Sequence, residues 1–249
     1  MYQLAKKIYK LGKNILLSPF VVSDYQDFKQ LDKEPRFKLE IKDFYPQVFD
    51  KTVTTGFDRH YVYHTAWAAR KVKEISPEVH IDIASSLYFP SIVSAFVPVE
   101  FYDYRPAPLT LSNLTAQHAD LTNLHFASNS ILSLSCLHTI EHIGLGRYGD
   151  PIDPNGDKKA CTELSRVLAP GGSLLFVTPV GKEAVIQFNA HRIYTYDLVK
   201  QLFPDLELKE FSFIPEKGVD GIHENANPNE LNNETYACGC FWFVKPKTI

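Results

Sequence analysis

From Val79 to Val180 short apolar runs alternate with helix-forming segments, and this alternation restricts the fold more than any other feature of the chain. VHIDIA at 79–84, VEFYDY at 99–104, ILSLSCL at 131–137 and SLLFVTPV at 173–180 read as buried strands. Between them, 90–96 reads as a helix with proline in its first turn, and 158–168 as a helix ended by Pro170-Gly171-Gly172. A strand that repeatedly gives way to a helix and then to another strand calls for a parallel sheet with helices on both faces.

The flanks extend this pattern. HYVYHTAWAARKVKEI at 60–75 carries Tyr63, Trp67, Val72 and Ile75 near helical spacing and stops before Ser76-Pro77. After the alternating region come a helix at 195–203, a strand at 206–214 and a closing strand at 236–246. The polar, asparagine-rich stretch 218–233 suits a reversed hairpin-like connection or a lid. Residues 1–58, with an aromatic helix around 24–31, are expected to form an N-terminal cap on a domain spanning 59–249.

A chain of 249 residues with 45% hydrophobic content can bury one large core. Its net charge of -3 gives no broad basic surface, so nucleic acid is not an expected partner and a small molecule or glycan is. Cys136, Cys161, Cys238 and Cys240 form no paired framework, and Cys238-Gly239-Cys240 reads as alternate positions of a buried strand. No apolar run reaches the ~18 residues of a bilayer span, so a cytoplasmic location is expected. Within residues 1–17, Leu4, Ile8, Leu11 and Ile15 recur at helical spacing beside four lysines. That segment is expected to dock on the body of the protein, with peripheral contact to an anionic membrane surface as the alternative.

ELSRVLAPGGSLLFVTPVG at 163–181 resembles the helix, Pro-Gly-Gly turn and fifth strand of the class I S-adenosylmethionine-dependent methyltransferases. HADLTNLHFASNSILSLSCLHTIEHIG at 118–144 resembles their third acidic position, fourth strand and following Glu-His segment. The resemblance covers about 61–244 and implies a doubly wound, mostly parallel, seven-stranded Rossmann-like α/β sheet. A narrower likeness, carried by IEHIGLGRYGDPIDPNG and FNAHRIY, is to an uncharacterised methyltransferase-like family whose members often occur with sugar-polymer enzymes.

On this fold ligands bind beyond the carboxyl ends of the strands. The resemblance then implies S-adenosylmethionine as cofactor, with Asp82, Ala84, Ser85, Ser86 and Ser135 around its methionine part. Asp103 would accept from the ribose hydroxyls, and Asp120 with the Leu121 backbone would read the adenine edge. The turn after the first strand, DIASSLYFPS, has no glycine where methyltransferases usually carry several. Ala84 there is expected to bear a strain of about 1–2 kcal/mol, and Tyr88 and Phe89 stand where small residues are usual.

His138-Thr139-Ile140-Glu141-His142 has the spacing of a zinc-binding HxxEH helix. A helix is not expected, because His138 follows directly on a strand and Gly144 and Gly146 interrupt within a turn; no metal is expected. His138, Glu141 and His142 are instead candidates for taking a proton from a hydroxyl acceptor, with His191 as a further base. Arg147, Tyr148, Asp150 and Asp153, with Asn189 and Arg192, offer a cationic fork, a ring and carboxylates suited to holding a sugar or a charged headgroup. A capping or turn-forming role is the bland alternative for Glu141, His142 and the whole 146–156 insert. The expected function is methyl transfer to a sugar or glycan-linked acceptor. The alternatives are a methyltransferase fold repurposed for other glycan chemistry or binding, and a zinc hydrolase.

Overall fold

The computed structural model describes residues 19–247, so the lysine-bearing segment 1–17 and the expectations attached to it lie outside the described residues. The chain divides into two compact units between Gly56 and Phe57. In the first, residues 19–31 form helix α1, followed by a 3-10 turn at Ile41–Asp43. The Tyr25 ring meets the edge of Phe44 at 5.6 Å, but none of its described residues is buried.

The second unit is built on a seven-stranded sheet. Its strands are β1 (His80–Ile83), β2 (Val99–Asp103), β3 (Leu114–His118), β4 (Ile131–Leu137), β5 (Leu168–Val180), β8 (Glu207–Ile214) and β9 (Ala237–Val244), in the order β3-β2-β1-β4-β5-β9-β8. β3, β2, β1, β4 and β5 pair in parallel, and β9 runs antiparallel to both β5 and β8. A separate hairpin joins β6 (Val185–Gln187) to β7 (His191–Ile193). This is the Rossmann-like α/β architecture that the sequence pattern demands.

Strands covered on both faces must be apolar throughout, and β1 and β9 are buried along nearly their whole length. Period-two alternation along β5 and β9 divides the core between two faces. Leu174, Phe176, Phe241 and Phe243 pack with helices α4 (Gly156–Val167) and α5 (Tyr196–Leu202). On the other face Leu175, Val177, Cys240 and Trp242 pack with α2 (Arg59–Ile75) and α3 (Tyr88–Val93). All four cysteines are free and buried.

Three local outcomes differ from the sequence pattern. β3 escapes notice because only Leu114 of LTAQH is buried, as befits an edge strand. β5 begins at Leu168 and runs through the Pro-Gly-Gly segment, because Gly171 and Gly172 bond to Lys245 and let the strand bulge rather than stop. The β6–β7 hairpin has no buried residue in its first strand, so it lacks the alternation that announces a strand. Stretch 218–233 is an ordered connection: Asn227 and Glu230 form a capping box on a 3-10 turn at Pro228–Asn233.

Candidate functional site

The carboxyl ends of β1, β2 and β4 open into a cavity of 640 Å³. Ala84, Ser85 and Ser86 follow β1, Asp103 closes β2, and Asp120 and Leu121 follow β3; all six line this one cavity. Asp103 accepts from the Arg105 backbone N–H through Oδ1 at 2.7 Å. Asp120 accepts from the Thr122 N–H and hydroxyl through Oδ1. Each carboxylate thus fixes its own turn with one oxygen and keeps the other for a ligand.

Two residues expected here lie behind the cavity. Asp82 and Ser135 are wholly buried and do not line it, because strands β1 and β4 turn both side chains into a polar chain beneath the loop. Asp82 Oδ1 accepts from Ser85 at 2.6 Å and from the Ser135 hydroxyl. Since Ser135 spends its proton on Asp82, its oxygen accepts from His80 Nε2 at 2.8 Å, and His80 Nδ1 accepts from Ser133. Burial pushes the Asp82 carboxyl up to about 7, against its serine hydrogen bonds, and pushes the His80 imidazole down to about 3. The chain therefore anchors Ser85, and Ser85 Oγ in turn accepts from the Leu137 N–H.

Ala84 adopts the left-handed conformation that the missing glycine would have supplied, with φ +56°. Two bonds over-determine it: its N–H donates to Tyr102 O at 2.7 Å, and its carbonyl accepts from the Thr139 hydroxyl at 2.8 Å. Tyr88 is 76% exposed and Phe89 is wholly buried, and neither enters the cavity.

A second cavity of 500 Å³ adjoins the first, and the two share Tyr61, His138, His142 and Tyr148. The expected absence of a helix under HTIEH is observed: His138 has φ +56°, and only Ile140–His142 form a 3-10 turn. This turn folds Glu141 inward, where its Oε1 accepts from His138 Nδ1 at 2.7 Å. Burial opposes the Glu141 carboxylate, yet His138 beside it and His142 hold it below its ordinary range. With Nδ1 donating, His138 carries its lone pair on Nε2, which is buried and unpartnered. His142 Nδ1 donates to Ala190 O at 2.7 Å, so its Nε2 too keeps a lone pair. Burial lowers the His142 and His191 pKa values, favouring neutral rings.

The proposed sugar-holding set divides. Tyr148 lies between the guanidinium groups of Arg105 and Arg147, at 4.9 and 5.1 Å. Arg147 donates to Ala190 O, and Asp150 accepts from the Gly144, Gly146 and Tyr148 N–H groups. Asp153 accepts from Asn155 N–H and pairs with Lys159. These carboxylates build the turn, as the bland reading had it, although both line the first cavity. Arg192 and Asn189 line neither cavity: Arg192 is 5% exposed, donates to Ile143 O and faces Asp157, while Asn189 Nδ2 reaches Leu145 O. The β6–β7 hairpin carries both away from the cleft.

Several residues at the site had no part in the sequence reading. Asp58 caps α2 through the Tyr61 N–H, so the first turn of α2 delivers His60, Tyr61 and His64 to the end of β4. The His60 and Tyr61 rings stack near His138 at 5.6 and 5.5 Å, and His64 lies at 5.1 Å. Burial lowers the His60 pKa to about 4 and holds that of wholly buried His64 well below its ordinary value. Burial with Glu141 nearby raises Tyr61 and Tyr236 to about 12. The available signal was the i, i+4 spacing of His60 and His64 on a helix whose apolar stripe is otherwise continuous.

Residues 109–226, a little under half of the chain, match the family model described as Caenorhabditis protein of unknown function, DUF268. None of the curated proteins compared with the chain matches it. Among solved structures, a proposed sarcosine dimethylglycine methyltransferase from Galdieria sulphuraria is similar over 74% of this chain and 86% of its own, with 14% identity and a TM-score of 0.52. The YcgJ protein from Bacillus subtilis is similar over 74% of this chain and 100% of its own, with 12% identity and a TM-score of 0.51. The MccD protein matches over 72% and 96%, with 12% identity and a TM-score of 0.50. Together with the strand order, these likenesses establish the Rossmann-like α/β fold of the class I methyltransferases for residues beyond Gly56.

Proposed function

We propose that the chain is an S-adenosylmethionine-dependent methyltransferase acting on a hydroxyl acceptor, of sugar or glycan-linked type. The observation that carries the reading is that Ala84, Ser85, Ser86, Asp103, Asp120 and Leu121 line a single cavity at the carboxyl ends of parallel strands. At 640 Å³ it falls within the ~300–1,000 Å³ of cofactor sites. Asp103 and Asp120 each retain an oxygen to receive hydroxyl or amino donors, and the Ala84 turn keeps its left-handed form without glycine. These features fit the cofactor.

Bound S-adenosylmethionine supplies an electrophilic methyl group on a sulfonium. The chain's own part is alignment and proton removal. His138, held by Glu141, would offer Nε2 to the acceptor O–H proton as the oxygen takes the methyl group, once acceptor binding uncovers that buried atom, and His142 borders the same two cavities. Tyr61 and Tyr148, which border both cavities, would exclude water from the reacting atoms. The glycan class of the acceptor draws its support from the narrower sequence resemblance and from the cluster of Arg105, Tyr148 and Arg147, whose guanidinium groups can donate to sugar hydroxyls.

The test is incubation with methyl-labelled S-adenosylmethionine and a panel of nucleotide sugars and oligosaccharides. Labelled product and S-adenosylhomocysteine in equal amounts are expected. Binding of the sugars with no transfer, and no cofactor binding, would instead support a fold repurposed for glycan binding.

A further inference from the structure

We propose that His60 on α2, His138 at the end of β4 and Cys238 on β9 form a binding site for a borderline divalent metal ion of the zinc class. Their ligand atoms all lie within 4.8 Å of one another, and all three residues are buried. Bond lengths of about 2.0 Å to nitrogen and 2.3 Å to sulfur separate tetrahedral ligand atoms by roughly 3.3–3.8 Å. Closing the set therefore takes about 1 Å of side-chain movement, well within a rotation of His60 on the first turn of its helix.

Three further observations point to a metal rather than to three unrelated core residues. First, His138 already has the arrangement of an oriented ligand: Nδ1 donates to the Glu141 carboxylate at 2.7 Å, and Nε2 is buried with no partner. A carboxylate behind a histidine fixes its tautomer and strengthens its lone pair toward a metal. Second, His64, whose ring lies 5.1 Å from His138, is wholly buried with neither ring nitrogen partnered, so polar groups crowd this spot beyond what packing needs. Leaving such groups unsatisfied is costly unless a ligand pairs with them. Third, His60 and His138 border the 500 Å³ cavity, which gives a metal ion a route to the site.

The ligand set comes from three elements far apart in sequence and does not use the His138 and His142 spacing. Two neutral imidazoles and one thiolate suit zinc, cobalt or iron(II) better than magnesium or calcium. Binding forms a metal–sulfur bond and releases the Cys238 proton to solvent. The inference does not rest on methyl transfer, because a metal here would acidify any bound hydroxyl. Should methyl transfer hold, that metal would occupy the His138 lone pair and lower the pKa of a bound acceptor hydroxyl, whose proton would then pass to solvent.

The experiment uses the full chain, stripped with chelator and titrated with Co²⁺ and Zn²⁺ in the absence of S-adenosylmethionine. One equivalent of Co²⁺ should bind, with tetrahedral visible bands and a near-ultraviolet thiolate-to-cobalt charge-transfer band, and Zn²⁺ should displace it. Cys238→Ser should abolish the charge-transfer band and His60→Ala should weaken binding by about 100-fold or more, while Cys240→Ala should leave both unchanged. Failure of the parent protein to bind Co²⁺, or binding without the charge-transfer band, overturns the proposal whether or not the variants fold. Retention of the band in folded Cys238→Ser does so as well. Cofactor binding with no metal uptake would leave the methyl-transfer reading standing alone.

Discussion

His80 is wholly buried in β1, and its imidazole is held neutral between Ser133 and Ser135. Burial lowers its pKa from 6.5 to about 3, so the unfolded chain binds a proton there that the folded chain refuses. The resulting stability is fully present above pH 6.5 and is lost as pH falls toward 3. Each pH unit in that window is worth about 1.4 kcal/mol, so His80 removes about 2 kcal/mol between pH 7.5 and pH 5. A glutamine can accept from Ser133 and donate to Ser135 but cannot titrate. His80→Gln should therefore be somewhat less stable at pH 7.5, yet lose about 2 kcal/mol less than the parent on going to pH 5. Urea unfolding at the two pH values measures both slopes, and the other buried histidines and Asp82 contribute alike to each protein. Equal losses in parent and variant would refute the assignment of a neutral, buried His80 to the chain that anchors Ser85.

Three other perturbations address the site. At Gly144, with φ +78°, an added Cβ would stand 2.0 Å from Asp153 O, so Gly144→Ala should cost roughly 3 kcal/mol or more in a thermal melt. Asp103→Ala should weaken S-adenosylmethionine binding by about 10-fold or more, the value of a charged hydrogen bond, with the melting temperature within ~2 °C of the parent. Unchanged affinity would remove Asp103 from the ribose. Glu141→Gln keeps the shape behind His138 but loses the charge, and should lower kcat about 100-fold while leaving cofactor affinity unaltered. A parallel rise in cofactor Kd would mean that Glu141 holds the fold of the cleft rather than orienting His138.

The fold was legible because its strands are apolar on both faces and its helices begin and end on recognisable residues. ILSLSCL at 131–137 is strand β4 over those same residues, and the helix read at 60–75 gains only Arg59. β3 and β6 are largely unburied and gave no such signal, and β7 is only three residues long with an arginine at its centre, which is why none of the three was anticipated. That Ala84, Ser85, Ser86, Asp103 and Asp120 gather at one cavity was legible through strand-end position alone. Direction of the side chain was not: Asp82 lies one residue inside the end of β1 while Asp103 is the last residue of β2, and Asp82 points into the polar chain beneath the loop while Asp103 faces the cavity. The Gly146 to Gly156 insert looked like a ligand kit because its carboxylates are the same groups that build an Asp turn, and the structure spends Asp150 on backbone N–H groups. His60, Tyr61 and Cys238 reach His138 only through tertiary folding, so the i, i+4 spacing of His60 and His64 marks two histidines on one helix face without telling what they meet.

The central claim is that the glycine-free turn at Ala84, with Asp103 and Asp120, forms a working cofactor cavity. Calorimetric titration of the full chain with S-adenosylmethionine and S-adenosylhomocysteine tests it most directly. One-to-one binding with a micromolar Kd is expected for both. Absence of heat at millimolar ligand, from protein that circular dichroism finds folded, would contradict it.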